Sequence, residues 1–467
     1  MRNITTILVI AAGTFLVNLD ASIVNIALPT LCTDLRASTQ DVAWVVLIYL
    51  CALGSLLLFS GKLGDALGSK RVFITGFLIF SVGSLICAFA HQIHMMYLGR
   101  LVQGIGAACI MANFGAILLQ NLPSDYIGRA FGLNTVLGGI GYAMGAPLGG
   151  WLIHSFGWRW IFLINIPVGI VAIIASMIYL KKDPARKSEP ECFDLQGLFL
   201  SIIAVTLFLL ILTRGFGENI FSATYAVAVI IFLACTMAFI RQELKTKHPL
   251  LEIPLFLKKG ILACIAANMG FVIVLSGLNF LFPFYFMEVL QMGVGRTGFF
   301  LMFFPVVSIA VSPLAGYLAD RLGPKVIEVR ASALAVLTTA SFYFFSPDIS
   351  SAMIIIIFIG FGIALAMFFT ANITLFMSNA PADRAGMFTA VASSGTTIGA
   401  ALGVSIFGNF LETSNGSDIL SRALQIDSGF HYAVFLATAF ALIAFGASMI
   451  SKSGQPSLPE EEQNYEK

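Results

Sequence analysis

The chain has 467 residues, of which 58% are hydrophobic and 11% charged; mean hydropathy is +0.93 and formal net charge +2. Soluble domains carry about 25% charged and about 45–50% apolar residues, so a soluble enzyme, a nucleic-acid binder and a disordered chain are excluded. Seven cysteines without C-x-x-C spacing indicate neither a disulfide framework nor a zinc site.

A membrane helix needs about 20 mostly apolar residues. Fourteen such spans follow in chain order: 5–29, 42–60, 72–90, 95–118, 131–153, 161–180, 196–213, 222–240, 260–286, 297–318, 327–345, 352–376, 387–410 and 431–450. The first is too long for a signal-peptide core and contains Asp20, so it is expected to be retained. An even number of spans puts both termini on one side. With that side cytoplasmic, the inner segments hold 20 of the 26 Lys and Arg; only Arg36, Arg100, Arg159, Arg214, Arg296 and Arg422 fall elsewhere. This positive-inside bias sets the expected topology: a multi-pass protein of the cytoplasmic membrane with both termini cytoplasmic.

The loops are too short for a soluble domain. The inner segment 241–259 (RQELKTKHPLLEIPLFLKK) alternates basic residues with Leu, Ile and Phe and is expected along the membrane surface. The outer loop 411–430 is polar, and the acidic tail at 452–467 is expected to be disordered.

An internal repeat organises the spans. The loop after span 2 reads Gly61-Lys-Leu-Gly-Asp65-Ala-Leu-Gly68-Ser-Lys70, and the loop after span 10 reads Gly316-Tyr-Leu-Ala-Asp320-Arg321-Leu-Gly323-Pro-Lys325. Arg129-Ala130 and Arg384-Ala385 are a weaker echo two spans later in each half. The expected fold is an all-α integral membrane protein: two six-helix bundles in pseudo-two-fold arrangement plus two extra helices. Residues 1–180 form the first bundle, 181–259 the inserted pair with its linkers, 260–451 the second bundle and 452–467 the tail. Two such halves place a substrate path at their interface near the midplane.

The first loop resembles the signature of the major facilitator superfamily, G-x-L-a-D-r-x-G-r-k. Arg100-Leu-Val-Gln103-Gly104-Ile-Gly106-Ala107-Ala108 is similar to its fourth-helix motif, and Gly141-Tyr-Ala-Met-Gly145-Ala-Pro147-Leu-Gly149-Gly150 to its antiporter motif. Leu19-Asp20-Ala-Ser-Ile-Val-Asn25-Ile-Ala-Leu-Pro29 and Trp158-Arg159-Trp160-Ile-Phe-Leu-Ile-Asn165-Ile-Pro167 resemble the fourteen-span drug:proton antiporters within it. Two positions depart from the patterns: Ala66 replaces an Arg, and Pro147 stands one place late, behind Ala146. The resemblance implies a conformational latch built from Gly61, Asp65, Gly68, Lys70, Arg71, Asp320 and Arg321, with a carboxylate facing a helix N-terminus of the other half. A tight turn with solvated charges is the simpler reading of the same residues. Gly141, Gly145, Pro147, Gly149 and Gly150 are implied in gating; close helix packing explains the same small residues.

Ionisable groups inside spans are costly and usually functional. Asp20 lies about 14 Å from the outer end of span 1 and Arg100 about 8 Å from that of span 4, counting about 1.5 Å per residue. A long Arg side chain covers the difference if spans 1 and 4 are neighbours, as they are in the family fold. Burial disfavours a charged carboxylate and a guanidinium favours it, so such a carboxyl can load and release a proton. Asp20 is therefore expected to be the proton-coupling site, with Arg100 as switch partner and Gln103 in support. A static ion pair, an Asp20 bonded to Asn18 or Asn25 for packing, and direct substrate binding by Asp20 remain open.

The 42 Phe and 16 Met suit a cavity for apolar or aromatic compounds of varied shape, although single Phe residues more often face lipid. Asn25, Asn113, Asn134, Asn268, Asn279 and Asn372 are candidate cavity residues. No deep acid other than Asp20 is expected, which favours a monovalent lipophilic cation or a neutral compound over a dication. The phosphate-binding G-x-x-x-x-G-K-[ST] loop and the G-x-G-x-x-G fingerprint do not occur. No cofactor, metal or nucleic acid is expected; His91 and His94 read as a wet loop. An intramembrane enzyme would need a Ser/His pair or facing carboxylates within spans. The expected function is a proton-coupled multidrug exporter, an antiporter working as a monomer by alternating access. The shifted Pro147 keeps a dedicated metabolite exporter or symporter as the second reading.

Overall fold

The computed structural model describes residues 2–181, 183, 195–212, 222–245, 256–380, 385–411 and 419–451. No strand occurs among them. Span 1 is Arg2–Asp34, span 2 Thr39–Leu67, span 3 Ser69–Ala88, span 4 Ile93–Asn121 and span 5 Ser124–Phe156. Span 6 is broken into Trp160–Leu163 and Asn165–Tyr179. Spans 7 and 8 are Leu195–Leu212 and Ala223–Lys245. Span 9 is Lys259–Phe284 with a π-helical end Tyr285–Val289, and span 10 is Val294–Leu301 with Phe303–Leu322. Span 11 is Pro324–Ser341, span 12 Ser351–Met377, span 13 Ala385–Gly408 and span 14 Ile419–Ile450. Thirteen of these are long and apolar enough to cross a membrane; in span 7 the described apolar stretch is the shorter Phe199–Phe208. Most of the expected surface segment, with the linker at 184–194, Arg384, Glu412 and the tail, lies outside the described residues.

Several helices run longer than the hydrocarbon ruler, up to the 33 residues of spans 1 and 5. Ser38 and Asp41 form a reciprocal capping box at the start of span 2. The second repeat glycines, Gly68 and Gly323, take φ of 102° and 86° in the turns that reverse the chain after spans 2 and 10. Only glycine adopts such backbone without strain, which explains its recurrence at matching offsets.

Helix pairing repeats between the halves. Span 1 packs on span 5, span 3 on span 4, span 2 on span 4 and span 3 on span 6. Spans 9 and 13, 11 and 12, 10 and 12, and 11 and 14 pair in the same way. Across the halves, span 2 meets span 13 and span 5 meets span 10, the pairing expected of a pseudo-two-fold axis. Spans 7 and 8 pack on each other, and span 7 touches spans 2 and 13.

The repeat lysines tie each half together on the face that carries the chain ends. Lys70 Nζ donates to the carbonyls of Met177 (3.1 Å) and Leu180 (2.7 Å) at the end of span 6. Lys325 Nζ donates to the carbonyls of Ser448 and Ser451 at the end of span 14. A cation at a helix C-terminus satisfies carbonyls that lack helical partners and complements the macrodipole. On the opposite face, Trp158 Nε1 donates to Asp34 Oδ2 at 2.8 Å, and the Arg159 guanidinium stacks 4.4 Å from the Trp158 ring.

Many phenylalanines fill the second half rather than a cavity. Phe271, Phe280, Phe282, Phe284, Phe342 and Phe358 are fully buried, and Phe430 stacks on Tyr285 with ring centroids 4.1 Å apart. These rings serve helix packing, while Phe369 and Phe376 line the larger cavity.

Gly323→Ala, with no atom within 4 Å of the added methyl, isolates backbone strain. It is expected to cost about 1–3 kcal/mol, read as a lowered unfolding temperature of the detergent-solubilised protein. Gly68→Ala should cost more, because its methyl would also meet the Asp183 carboxylate.

Candidate functional site

Four helices of the first half converge on Asp20. Arg100 donates from one terminal nitrogen to Asp20 Oδ2 at 2.6 Å and to Gln103 Oε1 at 2.8 Å, and from Nε to the Val45 carbonyl at 2.9 Å. Gln103 Nε2 donates to Asp20 Oδ1 at 3.1 Å and to Ser84 Oγ at 2.8 Å. Asn165 Nδ2 donates to Asp20 Oδ1 at 2.9 Å. The guanidinium lies 4.1 Å from the centroid of the Tyr49 ring, a cation–π contact. Asp20, Arg100, Gln103, Ser84 and Asn165 are all at most 1% exposed.

Local structure explains the convergence. Glycines on spans 3 and 4 bring the two backbones together: a methyl on Gly83 would sit 2.5 Å from Gln103 N, and one on Gly106 2.5 Å from Phe80 N. Asn165, in the first turns of span 6, turns its amide toward Asp20. Asp20, Arg100 and Gln103 meet as the depth arithmetic anticipates. Asn18 and Asn25 instead donate to the carbonyls of Thr14 and Ala21 in their own helix. Sequence reasoning missed Asn165 as a partner, although it stands in the Trp-Arg-Trp segment; Ser84 and Tyr49 carried no signal.

Chemically, the site holds one carboxylate accepting three N–H bonds. A proton on Asp20 competes with Arg100 for the same oxygens. Protonation therefore weakens the tie between spans 1 and 4 and leaves the guanidinium to Gln103, the Val45 carbonyl and the Tyr49 ring.

The small residues of span 5 divide between two neighbours. Methyls on Gly141, Gly145 and Gly149 would lie 2.5 Å from the Phe15 carbonyl, 2.4 Å from Ser22 Cβ and 2.6 Å from an Ile26 methyl, all on span 1. Gly150 faces the other half, 2.8 Å from the Val294 carbonyl on the same measure, and Gly298 of span 10 approaches the Ala146 carbonyl within 2.4 Å. Pro147 is half-buried beside Gly298. Tyr142 accepts a hydrogen bond from Asn279 Nδ2 across the interface, above a small pocket that Asn25 also lines.

The larger cavity, about 320 Å³, lies between spans 9, 10, 12 and 13 toward the terminal face. Asn268 and Asn372 line it with Ser308, Ser312, Phe369 and Thr396. Asn113 bonds the Ser60 and Cys109 carbonyls, and Asn134 accepts from Thr14 Oγ1; neither lines this cavity. Of the latch residues, Asp65, Arg71, Asp320 and Arg321 are exposed, Arg321 stacks on Tyr317, and Gly61 is half-buried. Asp183 accepts from the backbone N–H groups of Lys70 and Arg71 at the start of span 3.

Glu328, in the first turns of span 11, is fully buried and accepts from Asn372 and Ser451. It is a second buried carboxylate, placed at the end of its span rather than mid-span and outside the cavity lining.

Removing one member of a buried ion pair leaves an uncompensated charge, at a cost of about 3–5 kcal/mol. Asp20→Ala and Arg100→Ala should each lower the unfolding temperature sharply. The double variant should be less destabilised than the two losses summed, as a double-mutant cycle on thermal unfolding measures.

The sequence profile of the Major Facilitator Superfamily matches residues 10–404. The riboflavin transporter RibZ of Clostridioides difficile is 28% identical over 87% of this chain and 88% of its own. The multidrug resistance protein Stp of Mycobacterium tuberculosis is 28% identical over 87% of this chain and 75% of its own. The methyl viologen resistance protein SmvA of Salmonella typhimurium is 29% identical over 90% and 84%. Among solved structures, a bacterial homolog of the human lysosomal transporter Spinster superposes with a TM-score of 0.69 at 16% identity, covering 98% of this chain and 99% of that one. With thirteen membrane-length helices among the described residues, six of the first half paired like six of the second, and a family match over most of its length, the chain belongs to the major facilitator superfamily and is a multi-pass membrane transporter of small molecules, not an enzyme.

Proposed function

We propose that the chain is a proton-coupled multidrug exporter, an antiporter that moves hydrophobic or monovalent lipophilic cationic compounds by alternating access. The observation that carries this reading is the buried Asp20, bonded to Arg100, Gln103 and Asn165 and shared among spans 1, 4 and 6. In this scheme Asp20 takes up a proton when the pathway faces outside, Arg100 is released, and the four helices repack. Proton loss to the cytoplasm restores the pair. Similarity to Stp and SmvA supports drug export.

In this reading the bias of Lys and Arg puts the terminal face in the cytoplasm. The cavity near Asn268 and Asn372 then lies on the cytoplasmic side, and the tight contacts of Gly150 with Val294 and Gly298 with Ala146 close the outside. Gly141, Gly145 and Gly149 hold spans 1 and 5 together through this cycle, and Pro147 and Gly150 sit at the outer seal. The exposed Asp65 and Asp320 act as cytoplasmic latch groups, with Gly68 and Gly323 shaping their turns. The 1–180, 181–259 and 260–451 division and monomeric action belong to the same proposal. Similarity to RibZ favours, as a second reading, a carrier dedicated to one metabolite.

A growth-inhibition panel in a pump-deficient bacterium tests the first reading. Expression-matched wild type and Asp20→Asn are challenged with lipophilic cations, dyes and neutral antibiotics. Protection by wild type that is lost in Asp20→Asn is expected. Equal protection by both discards Asp20 as the coupling group, and protection by neither favours the dedicated carrier.

A further inference from the structure

The Glu328 network has no part in the scheme above, yet it touches the cavity. Glu328 Oε1 accepts from Asn372 Nδ2 at 2.7 Å and Oε2 accepts from Ser451 Oγ. Asn372 Nδ2 also donates to the Cys264 carbonyl at 3.1 Å, and both Asn372 and Cys264 line the cavity. Lys325 Nζ donates to Ser451 Oγ at 3.0 Å. Spans 9, 11, 12 and 14 are thereby joined around one buried carboxylate. They are the repeat counterparts of spans 1, 3, 4 and 6, which surround Asp20.

The amide orientation of Asn372 follows from its partners. A carboxylate and a carbonyl only accept, so both point at the amide nitrogen. The two N–H groups are used there, and Asn372 presents Oδ1, an acceptor, to the cavity. Ser312 and Thr396 on the same wall donate their hydroxyl protons to the carbonyls of Ser308 and Ala392 in their own helices, and Asn268, also on the wall, donates from Nδ2 to Thr396 Oγ1 at 3.2 Å. Among the described residues, no Lys, Arg or His lines this cavity.

We propose that Glu328 is a second proton-binding site, and that Asn372 transmits its protonation to the cavity as a change from acceptor to donor. A proton on Glu328 turns one of its oxygens into a donor. Asn372 then meets it best with Oδ1, and the amide turns its N–H groups toward the cavity. A substrate that carries N–H donors binds the first arrangement and not the second. By linkage, such a substrate favours loss of the Glu328 proton to bulk water, and the proton disfavours the substrate, although the two never touch. The titratable groups acting on Glu328 are Lys325 of its own helix and the Cys264 thiol of span 9; spans 12 and 14 present the neutral Asn372 and Ser451. This deepens the exporter reading and rests on it.

The test is equilibrium binding to the purified full chain, from mildly acidic to mildly basic pH, with two monovalent lipophilic cations. Ethidium carries aromatic amine donors; tetraphenylphosphonium has none. In wild type, ethidium affinity is expected to gain about tenfold more than tetraphenylphosphonium affinity as the pH rises, because coupling through Asp20 acts on both cations and Glu328 on ethidium alone. Glu328→Gln should remove that excess and leave only the pH response that both cations share. Ser451→Ala, a milder change that removes one donor to the carboxylate, should move the pH midpoint upward. Asn372→Leu should abolish the ethidium excess and keep tetraphenylphosphonium binding. A Glu328→Gln protein that keeps the wild-type pH response overturns the proposal, as does an unshifted midpoint in Ser451→Ala. Substrate-driven proton flux in vesicles separates the two levels: flux without the ethidium excess overturns this inference alone, and no flux in wild type overturns the exporter reading with it.

Discussion

The pair of Asp20 and Arg100 is the constraint around which the first half is arranged. Taking two such ions out of water costs several kcal/mol each, and attraction offsets that cost only where the remaining donors and acceptors are also satisfied. Here the carboxylate accepts from Arg100, Gln103 and Asn165, and the guanidinium also reaches the Val45 carbonyl and the Tyr49 ring. Those partners come from spans 2, 4 and 6, so the helices cannot drift apart without exposing a charge to hydrocarbon. The glycines follow from this demand. A methyl on Gly104 would stand 2.7 Å from the Tyr49 carbonyl, and the pairs Gly83 with Gln103 and Gly106 with Phe80 are tighter still. Small residues here set the distance at which the side-chain hydrogen bonds close.

The two halves share a helix arrangement and differ in how they hold charge. The first keeps an ion pair sealed among spans 1, 3, 4 and 6. The second keeps Glu328 against neutral donors, one of them on a cavity wall. Lys70 and Lys325 do the same work in both, capping the ends of spans 6 and 14. The repeat thus preserves the scaffold, and the chemistry is placed differently on each copy.

Much of this was legible in the sequence because membrane segments obey few rules. Hydropathy and length located the helices, and matching offsets after Gly61 and Gly316 exposed the repeat, of which the second glycines, Gly68 and Gly323, take positive φ. Depth counting brought Asp20 and Arg100 to one level, since a helix rises by a fixed amount per residue. The remainder depended on facts that periodicity does not carry. Glu328 sits one residue inside the expected start of span 11, where an acid reads as interfacial; only the fold shows spans 12 and 14 closing over it. Asn165 stands in an apolar run, and hydropathy does not say which face of that run meets Asp20. Lys70 reads as a latch charge in a short loop, but the end of span 6 is distant in sequence and adjacent in space. The phenylalanines show the limit of composition: a count cannot separate a packed ring from a cavity wall.

The most direct measurement is proton flux in proteoliposomes during transport of a substrate identified by the growth panel. Wild type and Asp20→Asn would be reconstituted at equal density in one orientation, with an internal pH dye. Coupling through Asp20 predicts substrate-driven proton movement in wild type and none above the empty-liposome rate in Asp20→Asn. Equal proton movement in both proteins would contradict it.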